Sequence, residues 1–228
     1  MSFFGLDSEK TIARINAAAV TPHIPSFVRS LSVSALGFCL VSLASFSAWA
    51  FGGRFFYAHI GEVGLYAVCA LLFVGLTGYV LHRLVIGPGS LGRFYKLFTV
   101  AFGAYAVAWC VAWFSLRGKQ GEWMGSLAGT LLMAVVLANA FSAPRAAFHV
   151  ATVLFITHSA GYFTGGYLYE LCKSPAALES FGHLLGKGAL ARTGMMLWGA
   201  AYGFGFGAGL GCALYFCQEP IRLKLQRE

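Results

Sequence analysis

Six stretches of this chain, residues 31–51, 63–81, 97–116, 123–143, 150–169 and 193–218, contain no Asp, Glu, Lys or Arg. At about 1.5 Å per residue, each is long enough to cross a hydrocarbon layer roughly 30 Å thick. No water satisfies the backbone inside such a layer, so a crossing segment must close its own hydrogen bonds as a helix. The pattern predicts an all-α, polytopic integral membrane protein with six transmembrane helices in one bundle. Short connections make successive helices antiparallel neighbours. Only 11% of residues are charged, against about 25% in soluble domains, so lipid must solvate much of the surface.

The chain reads as a single domain. Residues 1–29 form an amphipathic amino-terminal segment, 30–218 the six-helix bundle, and 219–228 a basic tail. "SFSAWA", ending at Ala50, mimics a signal-peptidase site. The segment before it holds prolines and acids, unlike a short basic leader, so the first window is read as an uncleaved span.

The net charge is +8. The cations lie between the apolar windows rather than along one face, which fits loop topology and anionic headgroups, not nucleic acid. Lys10, Arg14, Arg29, Arg83, Arg93, Lys96, Arg145, Arg222, Lys224 and Arg227 fall on one side of a six-span topology. Arg54, Arg117, Lys119, Lys173, Lys187 and Arg192 fall on the other. That split of ten against six places both termini in the cytoplasm, with a plasma or inner membrane as the site. The six cysteines include no CxxC pair and fall mostly within the windows, so they read as small hydrophobes rather than disulfides or metal ligands.

Two connecting segments are helical by pattern but too short to span. "DSEKTIARINAAAV" opens on Asp7 and Ser8 as caps and places Ile12, Ile15 and Ala19 on one face. "SPAALESFGHLLGKG" has Ser174 as cap and Pro175 at the first helical position, with Leu178, Phe181 and Leu185 on one face. Both are expected to lie in the membrane interface.

Two windows carry strong regularities. In the third, Phe98, Phe102, Tyr105, Trp109 and Trp113 form an aromatic stripe suited to a flat apolar ligand. Ala101, Ala104, Ala108 and Ala112 form a second row, expected to pack closely on a neighbour. In the sixth, Gly199, Gly203, Gly207 and Gly211 recur every four residues, and Gly205 and Gly209 form a row on another face. Small residues at this spacing let helix backbones meet, so this helix should be central and touch neighbours on two sides. A faint similarity of "LLFVGLTGYVL" to "VLFITHSAGYF" hints at two three-helix halves.

The stretch "THSAGYFTGGYLYEL" holds the candidate site. His158 sits halfway along the fifth window, where an ionisable ring is costly and marks function by default. Tyr162 follows one turn later, then Gly165, Gly166 and Tyr169. The glycines are expected to leave room for a polar pocket along a ligand or ion pathway formed by Thr157, His158, Tyr162 and Tyr169. Asn139 of the preceding helix, with Ser and Thr groups of the first two, is the expected partner. The competing account is a neutral histidine giving one interhelical hydrogen bond.

No serine-hydrolase, HExxH, paired-acid or phosphate-cradling motif is present, and no catalytic or metal residue is assigned. "GPGSLG" reads as a turn. No cofactor is expected from these motifs. Haem b would need two histidines at one depth, and His82 with His149 is the pair available. The leading reading is a small transporter or channel-like protein with a site near His158. The alternatives are an accessory or scaffold subunit binding lipid or an apolar cofactor, and a haem b electron-transfer subunit. Expected partners are membrane lipids, a second copy or a larger membrane complex.

Overall fold

The computed structural model describes residues 3–227. Among them all regular structure is helical. The helices are α1 (Ser8–Ala18), α2 (Phe27–Leu81), α3 (Ser90–Leu116), α4 (Gly118–Ala140), α5 (Ala147–Lys173), α6 (Pro175–Leu185), α7 (Lys187–Cys217) and α8 (Glu219–Leu225). Five of these, α2, α3, α4, α5 and α7, are long and apolar enough to cross a membrane.

The sequence places two separate helices in residues 31–81. Both are present, but no loop separates them: they meet at Gly61, whose dihedrals are non-helical (φ 69°, ψ −174°), so helix runs on either side of it from Phe27 to Leu81. A straight helix of 55 residues would measure about 80 Å. This one folds back on itself. Ser45 Oγ donates to the Cys69 carbonyl at 3.4 Å, and Cys69 Sγ donates to the Ser45 carbonyl at 3.6 Å. Phe38 stacks on Phe73 at 5.3 Å, and Gly37 lies against Val80 and Leu81. Residues 27–60 and 62–81 are thus the two antiparallel limbs of a hairpin. The polar residues Arg54 and His59, which look like a loop in sequence, lie on exposed helix surface. Gly61 carries the reversal because its backbone region is one that residues with a Cβ adopt only under strain.

Helix α7 is the centre. It packs most extensively on α5 and on α2. A Cβ on Gly203, Gly207 or Gly211 would overlap atoms of residues 30–42, including the Ser34 and Ser30 carbonyl oxygens. A Cβ on Gly205 or Gly209 would instead overlap Thr157 of α5. Ser42 Oγ ties the first interface by donating to the Gly199 carbonyl at 2.7 Å.

The α3–α4 contact has a close-packing row on the α4 side: Gly121, Gly125 and Gly129 lie under Trp113, Trp109 and Tyr105 respectively, and Gly121 also meets the Ala112 carbonyl of α3. The two helices join without a loop, through Arg117 at φ 54°, ψ 170°. Its guanidinium sits 4.7 Å from the Phe114 ring centroid and 3.7 Å from Glu62 Oε1.

The end of the bundle that holds both termini is latched by Gln218, which is 2% exposed. Its Oε1 accepts from the Ile86 amide at 2.8 Å, while Nε2 donates to the Leu84 and Leu214 carbonyls, both at 2.9 Å. Gly87 and Gly89 turn the chain at φ 93° and 69°, and Arg93 donates to the Gly87 carbonyl at 3.1 Å. Helix α1 is capped by Asp7, which accepts from the Lys10 amide at 2.9 Å. It buries Thr11, Ile12 and Ile15 and rests on α8 and Gly87. Ala19 is not on that face; it is an exposed left-handed cap at φ 48°. Helix α6 is capped by Ser174 as expected, but it buries no side chain, and Phe181, Leu184 and Leu185 are exposed.

Two stability changes follow. A Cβ at Gly61 meets nothing within 4 Å, so Gly61→Ala isolates backbone strain and should cost about 1–3 kcal/mol. An unfolding titration that returns an unchanged midpoint would show that the reversal needs no glycine. Gln218→Leu should cost about 1–3 kcal/mol for each buried backbone group left unpaired, with faster amide exchange at Ile86 as its local signature.

Candidate functional site

Helix α5 buries His158 completely. Its Nε2 lies 2.6 Å from Tyr105 Oη, and Tyr105 Oη lies 3.3 Å from Tyr202 Oη. Three helices, α5, α3 and α7, thus converge on one polar cluster. Nδ1 has no hydrogen-bond partner. Aromatic rings surround the imidazole: Tyr162 lies parallel at 5.9 Å, and Phe206 and Tyr202 present edges at 5.6 Å.

The cavity lies beside this cluster, not around the histidine. It holds about 200 Å³. Phe73, Phe102, Tyr105, Tyr162, Trp198 and Tyr202 form its inner wall. Trp49, Tyr57 and Tyr66 extend it to the hairpin end of the bundle, where Tyr57 is 49% exposed. The opposite end is closed by a phenylalanine pack: Phe38 stacks on Phe206 at 4.9 Å, and Phe94, Phe98 and Phe102 stack in series at 5.6 and 5.2 Å. The result is a partly open pocket lined by aromatic rings, with the hydroxyl-bearing Tyr105 and Tyr202 among its lining residues. His158 does not line it, but touches three residues that do: Tyr105 by hydrogen bond, and Tyr162 and Tyr202 by ring contact.

Of the expected site residues, His158 and Tyr162 are together, and Tyr162 lines the cavity. The others are elsewhere. Thr157 donates to its own helix at the Val153 carbonyl, 2.8 Å away, and packs on Gly209. Tyr169 sits nearer the carboxyl end of α5, between Trp49 and Trp198 at 5.8 and 5.7 Å. Asn139 is exposed at the end of α4 and does not join His158; α4 turns Met133, Ala134, Leu137 and Ala138 inward and leaves position 139 outside.

The glycines of α5 also act differently from the expectation. Gly161 meets the α7 backbone at Ala201 and Gly205, and Gly165 meets Trp198. They admit a neighbouring helix and a tryptophan, not a ligand. The small side-chain bulk of this stretch is therefore accounted for by packing.

The residues that complete the site are Tyr105 and Tyr202. Tyr105 was visible within the α3 stripe, of which Phe102, Tyr105 and Trp109 line the cavity. Tyr202 belongs to a row, Trp198, Tyr202 and Phe206, that runs every four residues between the two glycine rows of α7. In sequence this row is overlaid by the stronger glycine periodicity of the same helix.

The proposed haem pair is differently engaged. His82 Nδ1 lies 3.0 Å from Ser90 Oγ, whereas His149 is exposed beside Phe148. Among the described residues no three His, Cys, Asp or Glu side chains cluster to hold a metal ion. No family model, curated protein or solved structure matches this chain.

The Tyr105–His158 bond is testable by itself. His158→Phe and Tyr105→Phe should each destabilise the fold by about 1–2 kcal/mol. The double variant should cost less than their sum by about 1 kcal/mol, the coupling of a direct contact. Strict additivity would mean that the two groups do not meet.

Proposed function

We propose that this chain is an integral membrane protein that binds a neutral, largely apolar molecule in the aromatic cavity. The observation that carries the reading is the pocket of about 200 Å³ walled by aromatic rings. Its volume suits one ring or a short chain, since a dry apolar cavity of about 150 Å³ takes up benzene in another protein. Rings on several helices supply dispersion contacts without the cost of a buried charge. Of the readings offered by sequence, this one favours an accessory subunit binding lipid or an apolar cofactor over a polar solute pathway.

A second reading keeps the transporter. Phe73 and Phe102 of the pocket lining pack on one another, and Phe38 stacks on Phe73 and on Phe206 behind them. A transporter caught open to one side is closed on the other by such a pack, and movement of the phenylalanines would open it. His158 then serves as the polar group behind the pocket lining.

In this reading the two limbs of α2 cross the membrane separately, so the bundle has six crossings. Both termini and Gln218 face the cytoplasm, following the basic-residue split. The cavity mouth beside Tyr57 and Tyr66 faces the other side. Cysteines placed at Lys119 and Arg222 in a cysteine-free background should label from opposite faces of sealed vesicles. Labelling of both from one face would remove the six-crossing topology.

The binding reading predicts a molecule that survives purification in mild detergent and appears on extraction of the folded protein. Ala70→Phe, which places a ring in the pocket, should displace it. An extract free of any stoichiometric molecule, together with no uptake of small aromatic probes, would count against binding.

A further inference from the structure

The hydrogen-bond inventory beside the cavity specifies what the ligand must offer. His158 is buried, with Nε2 bonded to Tyr105 and Nδ1 bonded to nothing. A neutral imidazole carries one proton, on either nitrogen. Either choice leaves one donor at this cluster unpaired: with the proton on Nδ1 it is an N–H sealed in the protein away from the cavity, whereas with the proton on Nε2 it is a phenolic O–H on the cavity wall, where a ligand can accept it. With the proton on Nε2, His158 donates to Tyr105 Oη.

Three donor protons then meet at this point: His158 Nε2–H, Tyr105 O–H and Tyr202 O–H. The first is accepted by Tyr105. The two hydroxyls are 3.3 Å apart, long for an O–H···O bond, and can exchange one hydrogen bond between them. If Tyr105 donates to Tyr202, the Tyr202 proton is left over. If Tyr202 donates to Tyr105, the Tyr105 proton is left over. Either way one phenolic proton lacks a protein acceptor. Both tyrosines are largely buried, at 5% and 7% exposure, and both line the cavity.

Charge narrows the class further. The lining consists of Phe, Trp, Tyr, Leu, Cys and Ala, with no carboxylate and no cation. A cationic amine would find aromatic faces but no counter-charge, and its N–H groups would meet a surplus donor. A carboxylate would be desolvated without a cation to pair with. Resting on the binding function proposed above, we infer that the ligand is a neutral apolar ring compound bearing a carbonyl-type oxygen, such as an aryl ketone or a quinone ring. That oxygen accepts the surplus proton of the Tyr105–Tyr202 pair, with the ring held among Phe73, Phe102 and Trp198.

The histidine has a definite part in this arrangement. By donating to Tyr105 it occupies a lone pair of that oxygen and turns the Tyr105 proton away from α5. His158 is thus a positioning residue that acts through Tyr105 and does not touch the ligand.

The test compares two probes of near-identical shape, para-fluoroacetophenone and para-fluoroethylbenzene, by fluorine NMR with the full-length protein in nanodiscs. The Ala70→Phe variant corrects for partition into lipid. The ketone should bind about tenfold more tightly than the hydrocarbon, the worth of satisfying one buried donor. In the Tyr105→Phe/Tyr202→Phe double variant the hydrocarbon should still bind, which reports an intact pocket, and the preference for the ketone should vanish. Equal affinity for both probes in the wild type would overturn the carbonyl inference while leaving the cavity as a binding site. Tighter binding of benzyltrimethylammonium than of the ketone would overturn it in favour of a cation. Failure of every probe to bind would overturn both this inference and the function on which it rests.

Discussion

Everything in this bundle depends on how closely α7 approaches its two neighbours. On the membrane reading proposed above, apolar side chains gain little by leaving lipid for protein, so helix association draws on dispersion contacts, and these are densest where backbones meet. The glycine rows of α7 create that meeting twice. Gly203, Gly207 and Gly211 bring in residues 30–42 of α2, and Gly205 and Gly209 bring in α5. Gly161 of α5 reciprocates against Ala201 and Gly205, so on this side both backbones are stripped of bulk. With its neighbours so close, α7 has one remaining inward strip, and that strip carries Trp198, Tyr202 and Phe206.

The aromatic strip explains why a cavity exists beside such a tight interface. Large rings at Trp198 and Tyr202 face Phe73 and Phe102, and stiff planar groups from different helices cannot fill every gap between them. Wherever the cavity is unfilled, its lining forfeits the dispersion contacts that close packing would give. A close-packed plug of Phe38, Phe94, Phe98 and Phe206 directly below shows that the same residue types can fill space when placed to do so. An occupant that restores dispersion contact and accepts the surplus tyrosine proton removes both costs together.

Much of this was legible in the chain, because apolar run length and small-residue spacing are local properties. The uncharged windows predicted the helices, and the α7 glycines pointed to a helix with two close neighbours. The hairpin at Gly61 was less legible: one backbone conformation replaced a loop, and Arg54 and His59 mimicked loop polarity while remaining helical. The site was half legible. His158 stood out by type and depth, but its partners are set by helix rotation, which run length does not encode. Depth along α4 alone points to Asn139, and the structure turns it outward. Tyr105 and Tyr202 lie 97 positions apart, and only packing brings them together. The glycines of α5 carried a true signal of close approach with the wrong occupant assigned, a helix rather than a ligand.

The central claim is that backbone contact along α7 organises the bundle and with it the aromatic cavity. A Gly→Ala scan along α7, read by unfolding in detergent micelles, tests it most directly. The account predicts a periodic loss of stability, about 1–3 kcal/mol at Gly203, Gly205, Gly207, Gly209 and Gly211 from overpacking. It predicts little or no loss at Gly188, where an added Cβ meets only the far end of Arg192 at 3.9 Å. A flat profile, or a gain at every position from the higher helix propensity of alanine, would contradict it.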